Sequence, residues 1–485
     1  MQNSKRQNCA GCPLMMGRRA LLRTVGVSAL AAKMGLLDFA SSLFGEQPKP
    51  AGKPLVRAVF VRPKKQEEYW MSWPGMFWDA QAHQAQYTKT LTEAAKALGV
   101  QIEVQSEPLA DRAAVDALIQ QVKQSPPDGV ILTIMQLGPA PCWPNADHFV
   151  QQRGDIPTIV FSPMGTSFTG HLQPTRKAPK TFVAATQDFG WLAEGLRMLK
   201  TMWAMKNTRI CIVAGDKAHD QVLPTVGTTL HYIPESQWID GWKKAETTDE
   251  MRAIAGYYNK EAKKIVEPKP EDVLNAAKGY VMARQIMAAE SCQGISINCL
   301  PHISGKLVPC GPCIAFSKLN DELSVGACEA DWNAAISMRL NALLNRRPGF
   351  MQDPAPNTVN NTLMGAHCTC ATKLDGPDKP HEPFILRSHS EPNMGCAPQV
   401  LWRIGQEVTV MKFEGPGQII LGTGRVVANI DTPPSGGCRT SVELEIDGVA
   451  DTRDCKGFHQ LFIYGKLERQ FKAYCQLAGI QVVHI

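Results

Sequence analysis

Length, composition and charge set broad limits on this chain, whose 485 residues are enough for two to four domains. Hydrophobic residues make up 44% of the sequence and charged residues 20%, which excludes a mainly disordered chain. The formal net charge of +6 arises almost entirely from residues 1–45, where six basic residues face a single acidic one. The remainder is close to neutral, which argues against a nucleic-acid-binding protein.

The basic N-terminus has the layout of an export signal. Paired arginines, Arg18 and Arg19, precede a short apolar segment from Val25 to Ala32, and a linker rich in proline and lysine follows over 46–54. This order is typical of a removable leader of the twin-arginine type over residues 1–45. We therefore expect an exported, periplasmic bacterial protein with no stable membrane span after processing. The alternative is an amphipathic N-terminal helix.

Strands alternate with helices from residue 55 to about residue 344, which predicts parallel sheets flanked by helices. The first round has strands at 55–61, 102–104, 129–134 and 157–161 and helices at 81–98 and 110–122. The second round has strands at 208–215 and 294–297 and helices at 188–205, 249–264, 270–289, 313–323 and 331–344. The pattern predicts two Rossmann-like α/β domains, at 55–184 and 185–355. No glycine-rich dinucleotide or P-loop motif follows the strands.

The predicted secondary structure changes near residue 356, where short strands separated by turn residues replace the alternation of strands and helices. Strands are predicted at 383–386, 407–413, 418–429 and 441–447, and the chain closes with a strand at 461–465, a helix at 466–478 and a strand at 480–484. The sequence thus predicts a β-rich, barrel-like C-terminal domain over 356–485.

The chain holds 15 cysteines, a high and odd number. Cys310 and Cys313 form a C-x-x-C pair, and Cys368 and Cys370 lie close to His367 in the sequence. Disulfides suit an exported protein, a zinc site suits the C-x-x-C pair, and small buried apolar residues are the third interpretation. The spacing alone leaves all three open.

Candidate chemistry is concentrated at carboxylates and histidines beside predicted strand ends. Glu329 and Asp331 begin a helix directly after a strand, where the helix dipole favours carboxylates. The same junction lies at the carboxyl edge of the sheet, where α/β proteins place their sites. With His367 and His459, both near predicted strands, these residues have the composition of a divalent-metal site.

The order of several motifs over residues 55–485 resembles the superfamily of L-fucose isomerase and L-arabinose isomerase. The motifs are Gly326-Ala327-Cys328-Glu329-Ala330-Asp331, Phe350-Met351-Gln352-Asp353, Gly365-Ala366-His367-Cys368 and Phe458-His459-Gln460. The resemblance implies two Rossmann-like domains followed by a β-rich domain. It also implies isomerisation of a monosaccharide between aldose and ketose through an enediol, an intramolecular oxidation and reduction.

Roles for individual residues follow from the resemblance. Asp331 is similar to the metal-binding carboxylate that also acts as acid or base. Glu329 is the nearby carboxylate available to substitute for the family's second catalytic glutamate. His459 and His367 are similar to the metal-binding histidines. The position of the family's other catalytic glutamate falls on Cys313, whose thiolate would favour a softer metal. The resemblance therefore implies Mn²⁺, with Zn²⁺ as the alternative, and a homo-oligomer of three or six subunits.

Two other functions fit the same features. One is a different metal-assisted reaction of a sugar, by an epimerase or a lyase. The other is a carbohydrate-binding protein that has lost catalysis. Convergence of the carboxylates and histidines within metal-binding distance would favour an enzyme over a binding protein.

Overall fold

The structure is a computed structural model that describes residues 52–65, 79–138, 141–432 and 437–485. The predicted export signal at 1–45 and most of the predicted linker lie outside these residues. Within the described part of the chain, no helix is both long and apolar enough to cross a membrane.

The first sheet consists of five parallel strands in the order β2-β1-β3-β4-β5. The strands are β1 (Leu55–Val61), β2 (Gln101–Val104), β3 (Gly129–Ile134), β4 (Thr158–Ser162) and β5 (Thr181–Ala185). The helices between and after them are α1 (Ala80–Leu98), α2 (Arg112–Gln124), α3 (Cys142–Gln152), α4 (Thr169–Lys177) and α5 (Trp191–Lys206). β3 and β4 are buried along their whole length, as expected for central strands covered on both faces.

The second sheet has the order β11-β10-β6-β8-β7, with β7 antiparallel to β8 at one edge and the other pairs parallel. Its strands are β6 (Arg209–Val213), β7 (His219–Val222), β8 (Thr229–Ile233), β10 (Gly294–Ile297) and β11 (Val325–Cys328). Its helices are α6 (Glu235–Lys244), α7 (Asp249–Glu261), α8 (Pro270–Ala289), α9 (Cys299–Ser304), α10 (Cys313–Asp321) and α11 (Trp332–Asn345).

The C-terminal part forms a closed six-stranded barrel, because β16 and β17 pair and so join the two ends of the sheet. The barrel strands, in spatial order, are β16 (Glu407–Phe413), β19 (Gln460–Tyr464), β12 (Phe350–Asn357), β13 (Thr362–His367), β18 (Thr440–Ile446) and β17 (Gln418–Asn429). β20 (Gln481–His484), which follows α12 (Glu468–Ala478), is added parallel to β17. A three-stranded sheet is formed by β9 (Lys264–Ile265), β14 (Phe384–His389) and β15 (Met394–Val400).

The helix α11 connects the second sheet to the barrel and packs against β16 and β19. The backbone N–H of Phe413 donates to the hydroxyl of Ser337, and that of Gly415 donates to the side-chain oxygen of Asn333. One continuous apolar cluster extends through this junction, and a second lies under the opposite face of the first sheet. The junction between sheet and barrel is therefore firmly packed.

The predicted fold class is confirmed: two parallel-sheet α/β parts precede a barrel. Sequence patterns missed several short elements, among them α3, α6, β5 and β8. The first two are only 11 and 10 residues long, which is short for recognition by a helical period, and β5 and β8 are five-residue strands with little alternation. The predicted domain boundaries stay a prediction, and the first barrel strand begins at Phe350.

A matched pair of glycine substitutions tests the packing beneath the second sheet. A Cβ added at Gly326, in β11, would lie 2.7 Å from Cα of Phe316 in α10. We expect Gly326→Ala to destabilise the protein by about 1–3 kcal/mol, because backbone must move to make room. Gly256→Ala, in α7, meets nothing within 4 Å and should be neutral or stabilising by about 0.5–1 kcal/mol. Denaturant unfolding of both variants would show equal effects if the close approach were irrelevant.

A buried carboxyl at the end of α10 predicts a pH effect on stability. Burial raises the pKa of Asp321 to about 6, although the hydroxyl of Thr372 and the N–H of Lys373 donate to it. The folded state therefore favours the protonated form, and stability conferred by this group grows as the pH falls from 7 towards 4. We expect the wild type to gain about 2 kcal/mol relative to Asp321→Asn over that range.

The measurement is denaturant unfolding of both proteins at pH 7 and pH 4. The exposed Asp378 provides the control, because Asp378→Asn should show no such pH-dependent difference. A constant difference between wild type and Asp321→Asn would contradict the raised pKa.

Candidate functional site

Three neighbouring barrel strands bring together a histidine, an aspartate and a second histidine. β12 lies between β13 and β19, and its Asp353 pairs with Ala366, next to His367 at the end of β13. On the other side Gln352 pairs with Gln460, so the ladder leads from Asp353 directly to His459. The antiparallel register therefore places Asp353 between the two histidines, although 106 residues separate it from His459.

The fourth side chain comes from the second sheet. Glu329 follows β11 at the carboxyl edge, and Glu329 and Ala330 both have left-handed backbone conformations, with φ of 60° and 54°. His459 also has a positive φ, of 55°. Such conformations cost non-glycine residues on the order of 1–3 kcal/mol and are concentrated at functional sites. The turn is held by N–H groups of Ala330 and Asp331, which donate to the carbonyls of Ile297 and Cys328.

The four side chains converge on a small volume. One ligand atom from each of Glu329, His367 and His459 lies within 4.8 Å of the other two. His459 Nε2 is 3.1 Å from Asp353 Oδ1 and 3.5 Å from Glu329 Oε2, and His367 Nε2 is 3.8 Å from Glu329 Oε1. Both histidines are almost completely buried, whereas about a third of each carboxylate side chain is exposed. The group is thus open to small molecules on its carboxylate side.

Two buried atoms in this group have no hydrogen-bond partner. They are His459 Nε2 and Asp353 Oδ1, which face one another without the alignment of a hydrogen bond. Buried polar atoms that lack a partner are costly, and a cation would satisfy both of them together. Imidazole nitrogens and carboxylate oxygens are suitable ligands for Mn²⁺ and Zn²⁺. The geometry is therefore compatible with a divalent metal held by Glu329, His367 and His459, and Asp353 lies beside this group, 3.1 Å from His459 Nε2.

Asp331 contacts His459 on the side of the ring that faces away from the other ligands. Its Oδ1 accepts the N–H of Ala334, which caps α11, and its Oδ2 accepts from His459 Nδ1 at 2.8 Å. The buried Lys412 on β16 places its Nζ 3.5 Å from the same Oδ2 and donates to the carbonyl of Phe458. Because Nδ1 of His459 donates to Asp331, Nε2 is the nitrogen that faces the ligand group, and it becomes available to a cation when its own proton leaves. These contacts favour Asp331 as a residue that positions His459, and its expected role as metal ligand and acid or base stays a prediction.

When no metal ion is bound, the carboxylates of this group favour protonation of the two histidines. Burial would lower the pKa of His459, but its hydrogen bond to Asp331 and the nearby carboxylates of Asp331 and Asp353 outweigh this effect and raise the pKa to about 9. Burial likewise opposes the charge of His367, and Glu329 and Asp353 raise its pKa. Burial would raise the pKa of Asp331, but His459 and Lys412 lower it below its ordinary value. The carboxylates thus create a strongly negative potential at the two imidazoles.

Cys313 lies in a different group of side chains. It packs with Cys368 and Ala397, and Cys438 lies against them. All cysteines of the described residues are free thiols. The suggestion that Cys313 binds the metal stays a prediction, and its position is not one of the four that converge.

Sequence reasoning gave no role to Asp353 or Lys412. Asp353 stands in the motif Phe350-Met351-Gln352-Asp353, and its place between two histidines depends on strand register, which the sequence did not predict. Lys412 is a buried lysine in a strand that also contains Val408, Val410, Met411 and Phe413, and 6% of its side chain is exposed. Because lysines are seldom buried without a partner, a charge within a strand interior was the available signal.

Comparisons of the sequence with known proteins found sugar isomerases that resemble this chain. No family model matches the chain. A sulfoquinovose isomerase of Alkalicoccus urumqiensis is 24% identical over 283 residues, which cover 52% of this chain and 62% of that protein. This similarity supports an L-arabinose and L-fucose isomerase-like superfamily for the chain.

Two further relatives in this superfamily match with similar coverage. A sulfoquinovose isomerase of Clostridium sp. (strain MSTE9) is 24% identical over 55% of this chain and 60% of its own length. An L-arabinose isomerase of Bacteroides thetaiotaomicron is 22% identical over 61% of this chain and 62% of its own length. The alignments thus span about three fifths of each relative.

Asp331→Asn tests the positioning of His459. Asparagine retains the N-cap of α11 but removes the negative charge that His459 and Lys412 contact. We expect the affinity for Mn²⁺ to fall by about 10- to 100-fold, since partners behind a ligating histidine have effects of this size. Titration calorimetry measures the change. Asp447→Asn, an exposed aspartate at the barrel, should bind as the wild type does, and an unchanged affinity in Asp331→Asn would contradict the role.

Proposed function

We propose that the chain is a metal-dependent aldose–ketose isomerase that acts on a monosaccharide through an enediol. The observation that carries the proposal is the convergence of Glu329, Asp353, His367 and His459, with two buried atoms that lack partners. Similarity to proteins named sulfoquinovose isomerase and L-arabinose isomerase supports the same reaction class.

The residues that would hold the ion are the four that converge. Glu329 and Asp353 supply carboxylate oxygens, and His367 and His459 supply imidazole nitrogens. A divalent ion would, when bound, polarise the carbonyl and hydroxyl oxygens at C1 and C2 of the sugar. Mn²⁺ suits a site with two carboxylates better than it suits one rich in thiols, and Zn²⁺ remains the alternative.

Proton transfer falls to the two carboxylates that remain part-exposed. Asp331 has both oxygens engaged, whereas Glu329 and Asp353 are not tied into such a network. We assign one of them to remove the proton at C2 and the other to deliver a proton at C1 or its oxygen. General acid–base catalysis of this kind contributes typically 10²- to 10⁴-fold to the rate.

Phe458 offers an apolar surface for the sugar. Its side chain is half-exposed, and its ring packs on that of His459 with a centroid distance of 4.2 Å. An aromatic face suits the C–H groups of a sugar ring or chain. A substrate held there would lie beside the ligand group, in reach of the exposed carboxylates.

Metal content and isotope exchange test this proposal. We expect the purified protein, supplied with Mn²⁺, to hold one ion per chain and to lose it in His459→Ala. His484→Ala, on the outer strand β20, should keep the ion because His484 is exposed and is not one of the converging residues. A protein that binds no ion in metal-replete buffer would contradict the proposal.

Catalysis is tested in D₂O with a panel of aldoses that includes L-arabinose and sulfoquinovose. An enediol exposes the transferred hydrogen to solvent, so the ketose product should gain deuterium at C1. We expect Glu329→Gln and Asp353→Asn each to reduce kcat by at least about 100-fold, and Glu445→Gln, on the exposed face of β18, to leave it unchanged. Epimerised or dehydrated products in place of the ketose would instead indicate one of the other sugar reactions.

A further inference from the structure

Three cysteine side chains lie together beside the strand that carries His367. Cys313, Cys368 and Ala397 form a small buried apolar cluster, with Cys438 packed against it. Cys368 is the middle member, because its thiol contacts those of both Cys313 and Cys438. Each of the other two thiols contacts Cys368, so Cys368 has two possible partners.

The backbone brings Cys368 and Cys438 close to one another. His367 in β13 pairs with Thr440 in β18, and the two cysteines follow at the same end of this antiparallel ladder. Continued beyond its last pair, this register sets Cys368 opposite Arg439 and Cys438 opposite Thr369, so the two cysteines are diagonal neighbours at the end of the ladder. Their side chains pack against one another there, which brings the two sulfurs together.

Exposure differs among the three thiols and decides which of them an external disulfide can reach. Cys313 and Cys368 are 3% and 1% exposed, whereas Cys438 is half-buried. Thiol–disulfide exchange with an external disulfide requires an accessible sulfur. Cys438 is therefore the entry point, and Cys368 is the thiol behind it.

A metal held by the three thiols fits the geometry less well. Zinc–thiolate bonds of about 2.3 Å bring the sulfurs of such a site within about 4 Å of one another. Within the described part of the chain, the one group of three such residues with all ligand atoms within 4.8 Å is Glu329, His367 and His459. The three sulfurs thus form a row around Cys368 and not a closed triangle.

We propose that Cys438 and Cys368 are a modification site that forms a reversible disulfide by exchange with a small-molecule or protein disulfide. The Cys438 thiolate attacks one sulfur of the external disulfide, forms a mixed disulfide and releases one thiolate. The Cys368 thiolate then attacks the Cys438 sulfur and expels the second thiolate. The two cysteines lose two protons and two electrons, and the external disulfide is reduced to two thiols.

The product would link the end of β13 to the start of β18, one residue from His367. Cys313 stays in contact with Cys368 and is placed to reopen the bond by attacking its sulfur. The inference concerns the chemistry of the thiols alone and does not depend on the proposed isomerase activity.

Peptide mapping of the wild-type chain tests this site. The reduced protein is treated with glutathione disulfide under native conditions, the remaining thiols are blocked with N-ethylmaleimide, and the digest is analysed by mass spectrometry without reduction. We expect a cross-linked pair of peptides that contain Cys368 and Cys438, and its loss after treatment with dithiothreitol.

A second thiol pair in the same protein is the internal control. Cys211 and Cys292 also contact one another, but both are completely buried. They should stay reduced under the same conditions because no oxidant reaches them. If Cys368 and Cys438 remain as reduced as this pair, or if a bound zinc ion protects Cys313, Cys368 and Cys438 together, the proposal is wrong.

Two variants distinguish the entry point from the resolving thiol. Cys438→Ser should leave Cys368 and Cys313 reduced, whereas Cys313→Ser should still form the Cys368–Cys438 bond. A disulfide between Cys313 and Cys368 in Cys438→Ser would contradict the assignment of Cys438 as the entry point. Mapping of the wild type decides the proposal even where a variant fails to fold.

Discussion

The hydrogen bond between His459 and Asp331 is the contact on which the arrangement of the site depends. Asp331 begins α11, which extends from the carboxyl edge of the second sheet, and His459 immediately precedes β19 of the barrel. One 2.8 Å contact therefore joins two architectures and fixes the ring of His459. With Nδ1 committed to Asp331, the opposite nitrogen must face Asp353 and Glu329. A shift of the barrel relative to the second sheet would therefore move His459 and Asp353 away from Glu329 and Asp331.

Nearby positive charge explains how three carboxylates can lie close together in a part-buried site. Glu329, Asp331 and Asp353 bring three carboxylates to one region, and Lys412 is the fixed cation beside them. Repulsion among the carboxylates would be severe without further positive charge. In the absence of an ion a proton on His459 provides it, which is why burial fails to lower the pKa of that ring. A proton on His459 and a divalent cation would therefore compete, because either one neutralises the charge of the carboxylates.

Much of the fold was predictable because local patterns decide it. Gly129–Ile134, Gly294–Ile297 and Gln418–Asn429 are strands at their predicted limits, and α8 has its predicted bounds. Their apolar runs and the proline at the start of α8 are signals within a few residues. The site was predictable only in part. Glu329, His367 and His459 were named as candidates, but Asp353 was given no role because barrel register, a long-range property, places it between the histidines.

The strained backbone shows how the fold supports the site. Glu329, Ala330 and His459 all have left-handed conformations, and each is followed or preceded by well-packed regular structure. The turn after β11 is bonded to Ile297 and Cys328, α11 is bonded to the barrel through Ser337 and Asn333, and Lys412 binds the carbonyl before His459. Each of these contacts offsets a conformation that the residue would not adopt alone. If the turn at Glu329 and Ala330 or the one at His459 relaxed, the backbone strain would be released but the ligands would move apart. Convergence of the site therefore costs local backbone stability.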